Sequence, residues 1–369
     1  MRHRATPVAT LSSMPLRHLL RILGDEPKES RSLTKEEAFR AMTSILSGGE
    51  SEITVGAFLI ALRWKGVTVE ELTGFALAAR GVARIPCQGM DGLVCVCPPH
   101  DGQVHHPPLD ALSSLIAAGA GARVLMITDQ GVPPLRGLTA PNILAGLGLQ
   151  MTWDPTEAED WVAKGRFAVL SATGMLPGLL HTRRARKGVV LRTPLSTLEK
   201  LLAPSHASVV LGAMHGPVLG TAVEVIQGLG HPRGTALQGV DGGVVPWVSR
   251  RTRGIALDGG HLVPLVVDPT DFGLGHDSEP ELPMYGPPEE EEGACDNPQL
   301  IKDAQNVCDE VLKGVRNSAR DAALMGAGVI LKTVGLSMTL AEGVDLASQA
   351  LDGGAVTERI AHLGDLSHQ

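Results

Sequence analysis

The stretch Leu93-Val94-Cys95-Val96-Cys97-Pro98-Pro99-His100-Asp101-Gly102 separates two kinds of pattern in this chain. A short, continuous apolar run that stops at a Pro-Pro pair reads as a buried strand followed by a loop. Downstream, runs of the same kind recur at Val124 to Ile127, Phe167 to Leu170, Ser208 to Leu211 and Thr235 to Leu237, with helix-length segments between them. This alternation predicts an α/β domain with a mainly parallel central sheet and surrounding helices. A glycine-marked segment, 244–264, predicts a β excursion. The loop itself is poorly suited to cradling a phosphate, because Pro98 and Pro99 carry no amide N–H and their side chains, with His100, fill the space an anion would need.

Upstream of the quoted stretch the pattern is helical. Thr34 stands three residues before Glu37, a capping-box spacing, and Ala38, Met42, Ile45 and Leu46 follow at helical intervals. Gly48-Gly49 ends that helix, and two more are predicted from about Ile53 to Trp64 and from Val69 to Arg80. The predicted organisation is a small helical domain over 15–85, joined by part of 180–205, and a large α/β domain over 86–369. Residues 277–296 hold eight acidic residues, several prolines and no base, the composition of an exposed acidic, Pro-rich loop. From Asn297 to Leu363 the pattern is helical again.

With 369 residues and 43% hydrophobic composition, the chain exceeds what one compact core usually holds. Aromatic residues at 3% argue against base-stacking platforms. A formal charge of −8 argues against whole-body attraction to nucleic acid or to anionic membrane. No apolar run reaches membrane-spanning length, and Met1-Arg2-His3-Arg4 opens no signal peptide, so a cytoplasmic location without membrane association is expected. Five unevenly spaced cysteines do not make a disulfide framework.

Three stretches, Leu33-Thr34 through Ile45-Leu46-Ser47-Gly48, then Ala57-Phe58-Leu59-Ile60-Ala61-Leu62-Arg63-Trp64-Lys65-Gly66, then Ala319-Arg320-Asp321-Ala322 with Leu340-Ala341-Glu342-Gly343, resemble the anthranilate phosphoribosyltransferase family, a glycosyltransferase family 3 group with a nucleoside phosphorylase-like fold. The resemblance covers about residues 15 to 365. It implies a helical domain and a larger α/β domain with a cleft between them, and a homodimer formed through the helical domain. In that family a Gly-Thr-Gly-Gly-Asp turn holds the pyrophosphate of phosphoribosyl pyrophosphate. The matching positions here are Cys97, Pro98, Pro99, His100 and Asp101, so only the aspartate is kept. An Asp-Glu pair that carries Mg²⁺ in the family is matched by Val244 and Val245, and the family's Lys-His-Gly-Asn-Arg run is matched approximately by Met126-Ile127-Thr128-Asp129-Gln130.

The basic stretch His181-Thr182-Arg183-Arg184-Ala185-Arg186-Lys187, with Arg192, falls at the family's arginine region, and Arg186 is the nearest match to the arginine that helps hold the anthranilate carboxylate. Together with Thr197-Leu198-Glu199-Lys200-Leu201, it also resembles a non-catalytic, DNA-binding bacterial branch of the superfamily. That branch carries basic residues where this chain has Gln103, His105 and His106.

Each cluster also has a plainer reading. The basic stretch reads either as phosphate contacts or as a solvated face paired with the acidic loop. A second basic cluster, Arg250, Arg251 and Arg253, follows Trp247. Cys95, Cys97, His100, His105 and His106 invite a metal, but the spacing lacks the second distant pair of structural zinc sites, and buried strand cysteines with loop histidines account for them. His206 and His215 read as a strand start and a turn.

The resulting expectation is a protein on this transferase frame without the phosphoribosyl pyrophosphate and Mg²⁺ sites, inactive as a transferase and without a cofactor, in which Arg183, Arg184, Arg186, Lys187 and Arg192 meet a nucleic acid, DNA above RNA. The alternative is a glycosyl or phosphoribosyl transferase with an altered donor or acceptor that uses Asp101 and Asp241, with Mg²⁺.

Overall fold

The computed structural model describes residues 16–24, 30–283 and 296–367. It opens with four helices, α1 (Leu16–Gly24), α2 (Lys35–Leu46), α3 (Glu52–Lys65) and α4 (Val69–Val82). Thr34 caps α2 reciprocally with Glu37, as the spacing predicts, and Thr68 caps α4 with Glu71 in the same way. Glu71 is fully buried and also accepts from the Leu33 amide and the Lys65 ammonium, both at 2.8 Å. One carboxylate therefore ties the entry of α2 to the exit of α3. At the crossing of α2 and α4, a Cβ on Gly74 would sit 2.3 Å from the Lys35 carbonyl oxygen, so the two helices approach as closely as glycine allows.

Seven strands form one sheet: β1 (Leu93–Cys97), β2 (Arg123–Thr128), β3 (Phe167–Ser171), β4 (Ser208–Gly212), β5 (Gly234–Leu237), β6 (Thr252–Asp258) and β7 (His261–Val267), in the order β3-β2-β1-β4-β5-β6-β7. Strands β3 to β5 pair in parallel, while β6 and β7 add an antiparallel hairpin. The helical unit followed by a mostly parallel α/β domain is therefore present. The β excursion is shorter than 244–264 suggested: strand begins only at Thr252, and Val244, Val245 and Val248 are core instead, at most 2% exposed. Their side chains have enough apolar surface to bury without a strand partner.

The remaining helices are α5 (Asp110–Gly119), α6 (Ala140–Gly146), α7 (Pro155–Gly165), α8 (Ala172–Met175), α9 (Arg183–Val189), α10 (Leu195–Leu198), α11 (Gly216–Gly228), α12 (Pro298–Leu312), α13 (Ser318–Val334), α14 (Leu340–Asp352) and α15 (Ala355–Ser367). Strand alternation sorts β1 between two cores. Val94 and Val96 join the core built with α5 and α13, and Cys95 and Cys97 join the one shared with the helical unit. Helix α9 packs on α3 and α10 on α4, which brings these two helices of the 180–205 segment against the helical unit.

The acidic segment differs from its expected exposure. Glu279 is only 9% exposed and accepts from the Val248 and Ser249 amides. Leu282 is buried, and its amide donates to the His105 carbonyl. A carboxylate that gains amide donors can leave water at little cost. Residues 284–295 lie outside the described residues. Among the described residues no helix is long and apolar enough to cross a membrane.

Candidate functional site

The chain enters the sheet at β1, moves outward to β3, then returns to place β4 on the other side of β1. Loops leaving neighbouring strands β1 and β4 therefore diverge, and such a switch point leaves a crevice at the carboxyl ends of the strands. A cleft of about 340 Å³ occupies it. Its walls are Arg63 and Val67 from the helical unit, Pro99 to Asp101 after β1, Arg192 to Pro194 with Ser196, Thr197 and Lys200, and Leu211 to His215 at the end of β4.

The loop after β1 is held shut by its own contacts. The Gly102 amide donates to the Pro99 carbonyl at 3.2 Å, and Gln103 exchanges backbone hydrogen bonds with Leu138 at 2.8 Å each way. Gly102 has φ +80°, and a Cβ there would lie 2.4 Å from the Gly137 carbonyl carbon, so glycine is needed by packing rather than by a ligand. His100, 1% exposed, has Nε2 3.1 Å from the Ile127 carbonyl oxygen and Nδ1 3.7 Å from Glu199 Oε1. Burial holds its pKa below that of a free imidazole, with Glu199 opposing.

The five basic residues expected to meet nucleic acid do not form one surface. Arg186 is 2% exposed and binds both oxygens of the equally buried Glu199, at 2.7 and 3.1 Å. Although burial opposes ionisation of Glu199, Arg186 and then His100 hold its pKa down at about 2. Arg183 donates to Asp129 Oδ2 at 3.1 Å and to Thr173. Arg192 donates through Nε to Asp101 Oδ2 at 2.7 Å and through Nη1 to the Asp241 carbonyl at 3.3 Å. Only Arg184, paired with Glu52 at 3.3 Å, and Lys187 are exposed. Arg186 is thus corrected from ligand to structural partner, because a guanidinium bound bidentately by a buried carboxylate has no free face to offer. The described part of the acidic segment does not neutralise this stretch either; Asp129, Glu199, Asp101 and Glu52 do.

The cleft also contains residues that the sequence reading passed over. Lys200 donates to the Gly212 carbonyl at 2.6 Å, and burial, reinforced by Arg192, lowers its pKa to about 8. Its signal was a charged pair, Glu199-Lys200, set inside an otherwise leucine-rich run. His215, read as a turn residue, is the N-cap of α11 and lines the cleft. The buried Thr193 hydroxyl, also in the lining, has no hydrogen-bond partner among the described residues. Asp241, named in the sequence as a candidate, sits in the left-handed region at φ +51° and accepts through Oδ2 from His106 Nδ1 at 2.9 Å.

The positions matched to a magnesium pair do not fit the ion. Val244 and Val245 are 0% and 2% exposed, pack in the core near α13, and offer no oxygen; the Val244 amide donates to Asp110 Oδ1 at 2.6 Å. Among the described residues no group of three or more His, Cys, Asp or Glu is placed to hold a metal, and Cys95 and Cys97 are buried strand residues whose thiols desolvation keeps protonated.

The helical bundle domain of the glycosyl transferase family matches residues 17–83, and the a/b domain of the same family matches residues 109–357. The anthranilate phosphoribosyltransferase of Methylobacterium radiotolerans is 29% identical over 350 residues, 94% of each chain. That of Brevibacillus brevis is 28% identical over 335 residues, 90% of this chain and 93% of the relative. The crystal structure of anthranilate phosphoribosyltransferase from Thermus thermophilus superposes with a TM-score of 0.78 at 22% identity, covering 96% of this chain and 99% of that one. The Saccharomyces cerevisiae enzyme in complex with PRPP and Mg gives 0.73 at 20% identity, covering 96% and 98%. At these identities the two structures speak to the fold.

Proposed function

The chain belongs to the glycosyl transferase family, with both its helical bundle and its a/b domain, and from that premise we propose that it is a glycosyl or phosphoribosyl transferase whose donor or acceptor site differs from that of its relatives. The observation that carries this reading is the retained interdomain cleft. It combines two cations, Arg192 and Lys200, with the unpartnered Thr193 hydroxyl, in a volume of about 340 Å³ that suits a small polar ligand. Asp101 orients Arg192 through Nε, while Nη1 and Nη2 donate to the Asp241 and Gly102 carbonyls at 3.3 Å each, so the guanidinium brings a fixed positive charge to the cleft wall. Lys200 supplies a positive charge that is lost just above neutral pH. These groups recognise an anionic sugar without a metal ion.

The nucleic-acid reading draws support from Arg184 and Lys187 alone, and the Thr197 to Leu201 segment that suggested it is occupied by internal contacts of Glu199 and Lys200. We further infer a homodimer through the helical unit. Ile53, Ala57 and Trp64 share the outer face of α3, with Ile53 86% and Trp64 93% exposed.

Calorimetric titration with phosphoribosyl pyrophosphate, with and without Mg²⁺, tests the transferase reading. The expected result is binding that Mg²⁺ does not strengthen and that Lys200→Met weakens about tenfold, the worth of one charge-assisted contact. Absence of binding to both phosphoribosyl pyrophosphate and ribose 5-phosphate overturns it.

A further inference from the structure

Beside the cleft, and continuous with it at Met214 and at Asp241-Gly242, lies a second hollow of about 530 Å³ lined by Trp247, Arg250, Arg251 and Arg253. We propose that this hollow is an anion subsite that takes the phosphate or diphosphate end of the ligand held in the cleft, in place of the loop after β1. The proposal rests on the transferase reading above and adds where the ligand's charge is bound.

The arginines are placed by a rigid support. Trp247 is fixed at both ends, its indole N–H donating to the Gln238 carbonyl at 3.0 Å and its amide to Thr252 Oγ1 at 2.8 Å. The Arg250 guanidinium lies 3.9 Å from the centre of that ring, a cation–π contact that holds it in one orientation. The loop between them is anchored because buried Glu279 accepts from the Val248 and Ser249 amides. Arg251 and Arg253 flank Thr252 at the start of β6, and strand alternation puts them on one face while Thr252 is buried on the other.

The balance of charge favours an anion. Arg251 is paired with Asp268, but Arg250 and Arg253 have no carboxylate partner among the described residues. The one carboxylate in the lining, Asp241, is engaged by His106. Planar guanidinium groups with free N–H edges match phosphate oxygens two at a time. The loop after β1 cannot compete, since two of its residues lack an N–H and the Gly102 amide is already used. Because the hollow adjoins the cleft at Met214 and at Asp241-Gly242, one small ligand can reach both, so the ligand class is a small phosphorylated sugar or nucleotide.

Titration of the full chain with inorganic pyrophosphate, phosphoribosyl pyrophosphate and a single-stranded oligonucleotide tests this. Arg250→Ala/Arg253→Ala should weaken both pyrophosphate compounds at least tenfold with unchanged thermal unfolding, while Lys302→Ala/Lys313→Ala, within and just after α12, a matched loss of charge, changes neither. If phosphoribosyl pyrophosphate binds and the double arginine variant binds it equally well, the subsite is overturned and the cleft reading stands. If inorganic pyrophosphate binds in an arginine-dependent way but no phosphorylated sugar does, the subsite stands and the transferase reading falls. Arginine-dependent binding of the oligonucleotide without binding of pyrophosphate overturns the small-ligand assignment.

Discussion

Arg192 Nε and Asp101 Oδ2 meet at 2.7 Å across 91 residues of sequence, joining the loop after β1 to the segment that leads into α10. Asp101 is 2% exposed, so the pair clamps one wall of the cleft onto the other in a largely dry setting.

Arg192→Ala leaves the Asp101 carboxylate buried without its guanidinium. The expected cost is about 3 kcal/mol of folding stability, since an uncompensated buried charge is worth more than the bond itself. Urea unfolding of Arg192→Ala, Asp101→Asn and the double variant checks this: the double variant should be less destabilised than the sum of the singles.

The Arg186–Glu199 pair is the deeper of the two, and Arg186→Ala is expected to cost about 3–5 kcal/mol. Because the folded-state pKa of Glu199 is about 2, below its ordinary 4.5, its contribution is complete above pH 4.5 and is lost as pH falls toward 2. Acid unfolding followed by circular dichroism should show Glu199→Gln less stable than wild type at pH 7 and the gap closing across that window.

Lys200 titrates near 8 rather than 10.5, so it is charged below pH 8 and neutral above it. Affinity for phosphoribosyl pyrophosphate should fall as pH rises from 7 to 9, by at most about tenfold per pH unit beyond 8. Lys200→Arg, which stays charged, should abolish the fall, and calorimetry at three pH values is sufficient to see it. For folding the sign is opposite: the unfolded lysine keeps its proton longer, so this residue's contribution to stability rises with pH between 8 and 10.5.

The exposed apolar face of α3 gives a fourth prediction. Sedimentation of the wild-type chain should report a dimer, and Trp64→Glu should shift it to monomer with the fold intact, because a carboxylate would be desolvated at the centre of the contact. A wild-type monomer at micromolar concentration would overturn the dimer.

The helices were legible because their signals are local: the Thr34–Glu37 box, the glycine stops and the 3.6-residue spacing each act within a few positions. The sheet class was legible from continuous apolar runs such as Leu93 to Val96, which only a strand covered on both faces can bury. The resemblance carried by Ala57 to Gly66 and its companions is likewise local, a run of consecutive residues in which Phe58, Leu59 and Leu62 form the buried face of α3. Sequence also determined that two residues of the loop after β1 carry no amide N–H and that the side chains of Val244 and Val245 offer no ligand atom, because both follow from covalent structure alone.

What only the tertiary structure decided was the fate of charge. A run of arginines in sequence has no direction, and whether each one faces solvent depends on carboxylates far along the chain: Asp129 for Arg183, Glu199 for Arg186 and Asp101 for Arg192. The same holds in reverse for Lys200, hidden in a leucine-rich run yet set into the cleft, and for Arg250 and Arg253 beside it, a basic cluster plain in the sequence that has no carboxylate partner among the described residues. Hydrophobic periodicity places residues on faces; the pairing of charges is settled only when the faces meet.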